Sequence, residues 1–256
     1  MLTKNKFLRL VLLCTLPFLL TSLHAKKGFG NKAEDRKMKM EKASGLTPVF
    51  YNNASCNDID SEYGSKTRYD GSQRPKNRNK GHHGGTDWTI TIGEPLLAIA
   101  DGKVIHKGKG GRMEGKYIWL LHSPKQTGMP HWTYSKYQHL DKIPDIEVGT
   151  NVKVGEVIAI GGDTGTKGGH YGNHGYPHLH LSIKKTREPN YEISWGKLRA
   201  KKAKGTDVLY LYNNTIHTPK LFENIKTQPN EVLVGYVKNG KITPQDAKLI
   251  WPIACQ

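Results

Sequence analysis

Cysteine is scarce, with three in 256 residues, and the first of them, Cys14, lies inside an apolar run near the N-terminus. Only Cys56 and Cys255 remain beyond it, which excludes a zinc site built from a cysteine cluster. Phosphate-binding loops are missing too. GKGG at 108–111 and GGDTGTKGG at 161–169 lack the Gly-x4-Gly-Lys-[Ser/Thr] spacing and read as turns bordering a groove. The chain has no His-Glu-x-x-His helix and no Gly-x-Ser-x-Gly elbow. Its one small acidic cluster, Asp58, Asp60 and Glu62, lacks the glycine and the distal glutamate of a calcium loop. Acidic residues are outnumbered by basic ones, 22 against 39, for a formal charge of +17.

The apolar run from Leu10 to Leu23 follows Lys4, Lys6 and Arg9 and leads to Ala25. Charge, length and ending together predict a secretory signal peptide over 1–25. The run is shorter than a spanning helix and is interrupted by Pro17, so no membrane span is expected once it is removed. Removal deletes three positive charges and takes +17 to +14. A basic exported chain is expected in the periplasm or at the extracellular cell wall, against peptidoglycan or another anionic envelope polymer, with nucleic acid not expected as a partner. In that compartment Cys56 and Cys255 are expected to form a disulfide.

Residues 26–80 read as an N-terminal arm or linker. Its first part is highly charged, and its asparagine-rich second part, 49–80, is a candidate cover for a groove. From Trp88 the texture changes to short apolar runs between glycine and proline turns: WTITI, LLAIA, KVIHK, KYIWLLH, WTYSKYQHL, VKV, VIAIGG and HLHLSI. No long helical period intervenes. This predicts an all-β, antiparallel domain over 81–186, long enough to bury one core. Residues 187–256 are expected to pack on it as a C-terminal extension. There GKLRAKKAKG reads as a solvated helix face, and VLYLY and EVLVGYV as β-like pieces.

The chemistry is concentrated in two places. In GYPHLHLSI, His178 and His180 are two apart in a strand-like run and so share a face. In HGGTD, an extended backbone puts residues 83, 85 and 87 on one face and His82 on the other, which favours His83 and Asp87 as a converging pair. With His180 they make two histidines and a carboxylate, a set that leaves a fourth tetrahedral position open on zinc, as hydrolysis requires.

HGGTD at 83–87, KYQHL ending at His139 and Leu140, and HLH at 178–180, in that order, resemble the lysostaphin-like (LytM-type) zinc metallopeptidases. The segment VGTNVKVGEVIAIGGDTG, 148–165, is similar to the hairpin between the last two motifs in that family. The resemblance implies an antiparallel sheet domain with a groove-lining zinc site, Zn2+ held by His83, Asp87 and His180, and catalytic histidines at His139 and His178. It also implies a zinc-dependent endopeptidase that hydrolyses peptide bonds of peptidoglycan through a zinc-activated water. A non-enzymatic envelope adaptor that binds wall peptides or regulates another hydrolase is the alternative. One departure is the longer connection TKGGHYGNHGYP before His178, which brings His170, Tyr171, His174 and Tyr176 to the groove border. Tyr69 is a candidate for the family's tyrosine beside the oxyanion. His106, His122, His131 and His217 are expected to be structural or exposed.

Overall fold

Alternating apolar and polar residues pair up as the sequence rhythm demands. A computed structural model describes residues 40–213 and 225–256. The predicted signal peptide at 1–25, Cys14 and His217 lie outside the described residues. In chain order the strands are Thr47–Phe50 (β1), Thr86–Thr89 (β2), Pro95–Leu97 (β3), Gly102–Lys109 (β4), Lys116–His122 (β5), Trp132–Leu140 (β6), Asn151–Val152 (β7), Val157–Ile160 (β8), His178–Thr186 (β9), Tyr191–Ser194 (β10), Lys197–Ala200 (β11), Lys204–Thr206 (β12), Glu231–Val234 (β13), Tyr236–Lys238 (β14) and Lys241–Thr243 (β15). Each of the eight runs singled out between Trp88 and Ile183 supplies one of β2–β9.

The central sheet has the order β12-β9-β6-β5-β4-β7, with β2 also paired to β9, and all its pairings are antiparallel. The fold class is therefore all-β and antiparallel, as expected. Helices among the described residues are single turns such as Pro124–Thr127, and none is long and apolar enough to cross a membrane. Segment 148–165 differs from expectation. Its strands β7 and β8 pair outward, with β4 and β3, and not with each other as a hairpin.

Strand β9 shows how the sheet divides labour. Leu179, Leu181 and Ile183 point into the core at 0–1% exposure, where they meet Trp88, Leu120 and Tyr137. Each such side chain contributes about 1.5–3 kcal/mol by leaving water. The alternate residues, His178, His180, Ser182 and Lys184, are left for the opposite face, which lines a groove.

The flanking segments enter the same core. Trp251, fully buried, meets Trp88 edge-on at 5.2 Å and donates its indole N–H to Asn57 O at 3.0 Å. Strand β1 pairs in parallel with β13, and Cys56 is bonded to Cys255. Two local expectations fail. VLYLY contains the short helix Leu209–Tyr212, because Leu209, Leu211 and Tyr212 must all reach the interior within one turn. The basic run GKLRAKKAKG forms β11 and leads into β12 and is not a helix face; Leu198 and Ala203 are buried while the lysines stay in solvent.

Candidate active site

Two neighbouring strands build the donor group. Asp87 on β2 sits directly opposite His180 on β9, and His83 precedes β2 by one turn of chain. Gly85 permits this approach, since a Cβ there would lie 2.6 Å from His180 Nε2 and 2.7 Å from Leu181 O. His180 Nδ1 lies 2.7 Å from Asp87 Oδ1, His83 Nε2 lies 3.2 Å from the same oxygen, and the two ring nitrogens are 3.1 Å apart. No other group of three potential metal-ligating side chains is found among the described residues.

The outer hydrogen bonds fix which atoms face inward. His83 Nδ1 donates to Glu62 O at 3.0 Å, which leaves Nε2 with its lone pair toward Asp87. His180 Nε2 lies 3.0 Å from Ser182 Oγ, and with the proton on that side Nδ1 also turns a lone pair inward. Three acceptors this close repel unless a cation or proton sits among them, so the donor set fits a metal ion. Its make-up, two imidazoles and one carboxylate, suits zinc with a position left open. Burial alone would raise the Asp87 pKa, but His83, His180 and His178 hold it well below the usual carboxylate range. Arg74 adds a guanidinium 3.6 Å from Asp87 Oδ2 and donates to Ser61 Oγ at 2.7 Å.

His139 and His178 face each other beside this group, with ring centroids 4.4 Å apart. Strand alternation would send His139 to the opposite face from Gln138. A β-bulge prevents that. Lys116 is opposite Leu140 and Tyr117 opposite Gln138, so His139 is the extra residue, with φ at +64°. The left-handed backbone swings its ring into the groove that Gln138 also lines. His139 Nδ1 donates to Thr164 O and His178 Nδ1 to Tyr176 O, both at 2.8 Å. Each is thereby held in the tautomer whose Nε2 is unprotonated. Burial pushes both below the ordinary histidine range, His139 far below it with further repulsion from His178 and His180.

The groove, about 750 Å³, is walled on one side by residues between Arg68 and His82 and floored by β5, β6 and β9. His82 lines it, but its Nδ1 turns to Asn79 O at 3.2 Å, outside the donor group. Tyr171 reaches the groove, whereas Tyr69 stacks 4.1 Å from Tyr176 and is half exposed. His170 pairs with Asp70 at 2.7 Å. Tyr176, a border residue by sequence, stacks on the His178 ring at 4.5 Å and its hydroxyl lies 2.6 Å from Thr89 Oγ1. Thr164 and Glu62 act through backbone carbonyls, which leave no side-chain signal in a sequence. His122 is structural: fully buried, 2.7 Å from Ser135 Oγ and 2.8 Å from Asp101 O.

Residues 81–191 match Peptidase family M23. The glycyl-glycine endopeptidase ALE-1 of Staphylococcus capitis is 33% identical over 108 residues, 42% of this chain and 26% of that protein. The peptidoglycan DD-endopeptidase ShyC of Vibrio cholerae is 34% identical over 102 residues, 40% of this chain and 20% of that protein. The solved catalytic domain of lysostaphin from Staphylococcus simulans is 26% identical at a TM-score of 0.38, covering 56% of this chain and 88% of that one. The chain thus spans between a fifth and about a quarter of the length of these curated relatives. Over residues 81–191, this chain is similar to peptidase family M23.

Proposed function

We propose that this chain is an exported, zinc-dependent endopeptidase that hydrolyses peptide bonds in peptidoglycan. The observation that carries the reading is one groove holding both a convergent His83, Asp87 and His180 donor set and two further histidines with their Nδ1 atoms tied to backbone carbonyls. The match to peptidase family M23 over residues 81–191 supports peptidase chemistry, and the names of ALE-1 and ShyC support a wall-peptide substrate.

Zinc held by His83, Asp87 and His180 supplies a Lewis acid that lowers the pKa of water and polarises a carbonyl. The chain's own residues do the rest. His139 and His178, neutral at pH 7, present Nε2 to the groove, where one accepts the proton of the attacking water and the other stabilises charge developing on the peptide oxygen. Tyr176 stacks on His178 and keeps that ring from turning. Glu62 O and Ser182 Oγ orient the donor histidines, as outer partners of metal-binding imidazoles commonly do.

Muropeptide mass spectrometry after digestion of several peptidoglycan chemotypes tests the reading. Zinc near one per chain with new peptide ends is the expected result, and His180→Ala should lose both. A zinc-loaded protein that binds wall fragments but releases none would instead support the adaptor role.

A further inference from the structure

The hairpin formed by β10 and β11 is tipped by a tryptophan that the fold does not use. Ser194 pairs with Lys197, so the loop between them is the two residues Trp195 and Gly196, at φ +52° and +66°. Positive φ at both positions is the type I′ pattern, which favours Asn-Gly and puts any larger side chain under steric strain. Trp195 is also 96% exposed. A Cβ at Gly196 would meet nothing within 4 Å, so the tip stands clear of the rest of the chain. Neither turn chemistry nor packing accounts for an indole here.

Apolar side chains on this hairpin become more exposed toward its tip, the reverse of what burial would arrange. Tyr191 is 39%, Ile193 52% and Trp195 96% exposed. The hairpin is nevertheless anchored. Leu198 is buried, the Tyr134 hydroxyl donates to Asn190 O and the Tyr117 hydroxyl to Gly196 O, each at 3.2 Å. Basic side chains flank the apolar ones: Lys197, Arg199, Lys201 and Lys202 are all exposed. The single carboxylate of the hairpin, Glu192, takes Lys201 at 2.7 Å, and Glu114, which also faces Lys197, is paired with Lys136. Positive charge is therefore in excess beside exposed aromatic and aliphatic surface.

We propose that this hairpin is a docking finger for an anionic lipid bilayer, with Trp195 and Ile193 entering the headgroup region and Lys197, Arg199 and Lys202 facing lipid phosphates. Indole is suited to that boundary because its body is apolar and its N–H is polar, and clustered lysine and arginine add attraction to an anionic surface. A neutral sugar would use the indole face and leave Ile193 and the cations without a role. A second copy of the chain would bring like charges together. The inference goes beyond the endopeptidase reading and does not depend on it. Tyr117, which holds the tip, also lies against the Lys136 ammonium on the groove floor at 4.5 Å, so docking sets the groove beside the lipid surface.

The test uses zinc-loaded protein without residues 1–25, since the apolar run there would itself bind lipid. Co-sedimentation is measured with vesicles of phosphatidylglycerol and phosphatidylethanolamine and with vesicles of neutral phosphatidylcholine. Binding to the anionic vesicles about tenfold or more tighter than to the neutral ones is expected. Trp195→Asn suits the turn and should keep the melting temperature while weakening that binding about tenfold. The Lys197→Gln, Arg199→Gln, Lys202→Gln triple variant should weaken it about 100-fold. Lys103→Gln, Lys238→Gln, Lys241→Gln removes as much charge from β4, β14 and β15 and should change it less than about threefold. No binding by the unaltered protein, unchanged binding in Trp195→Asn, or equal losses in the two triple variants would overturn the finger. If Trp195→Asn instead weakens only the capture of peptide-free wall glycan strands, the indole serves a sugar and the lipid assignment is wrong.

Discussion

His139 owes its place in the groove to its backbone. A non-glycine residue at φ +64° carries a local cost, and that cost aims an imidazole at His178 which ordinary alternation would have buried elsewhere. Asparagine tolerates the same conformation. His139→Asn is therefore expected to keep the fold and its zinc while kcat falls about 10²–10⁴-fold, the range for loss of a general acid or base. Steady-state kinetics at saturating zinc, beside a melting curve, check this; an equal loss of fold and activity would sink it. Gly85 makes the opposite case. Its hydrogen is required because a Cβ would press on His180 Nε2, so Gly85→Ala should weaken zinc affinity about 10–100-fold, the scale on which supporting residues act at metal sites. Competition with a chelator reads that out directly.

At the scale of elements, β5 and β6 are joined by His122, whose pKa burial pushes down to about 4. The sign follows. The unfolded chain binds this proton near pH 6.5 and the folded chain only near 4, so the contribution is fully present above pH 6.5 and is lost as pH falls toward 4. Its size is roughly 3 kcal/mol at most. Urea unfolding of the zinc-loaded protein at pH 7.5 and pH 5 should show a marked drop for the unaltered chain and a smaller one for His122→Gln. Identical drops would refute the assignment. Strand β9 adds the complementary lesson: its leucines and isoleucine anchor one face in the core, which sets the register of the histidines on the other face.

For the whole molecule, the segments on either side of the family match are part of the core. Trp251 packs against Trp88, one residue from Asp87, so truncation to Trp251→Ala should cost about 3–5 kcal/mol. Chemical denaturation measures it. The Cys56–Cys255 bond joins residues 199 apart in sequence and, on the chain-entropy view, contributes about 5 kcal/mol. Reduction should lower the unfolding midpoint well before zinc is lost, and an unchanged midpoint would count against that role.

Much of this was legible in the chain. Strand positions from Trp88 to Ile183 followed from apolar alternation between turn residues, because that signal is local. The donor types and the spacing of HGGTD and HLH pointed to a metal for the same reason. The bulge at His139, the outward pairing of β7 and β8, the helical turn in VLYLY and the insertion of Trp251 were not legible, since each is decided by a partner distant in sequence. Sequence alone determined which residues are chemically able to bind a metal and move a proton. Tertiary structure decided which atoms of those residues meet, because the tautomer of each histidine depends on a backbone carbonyl or hydroxyl that the fold brings to it.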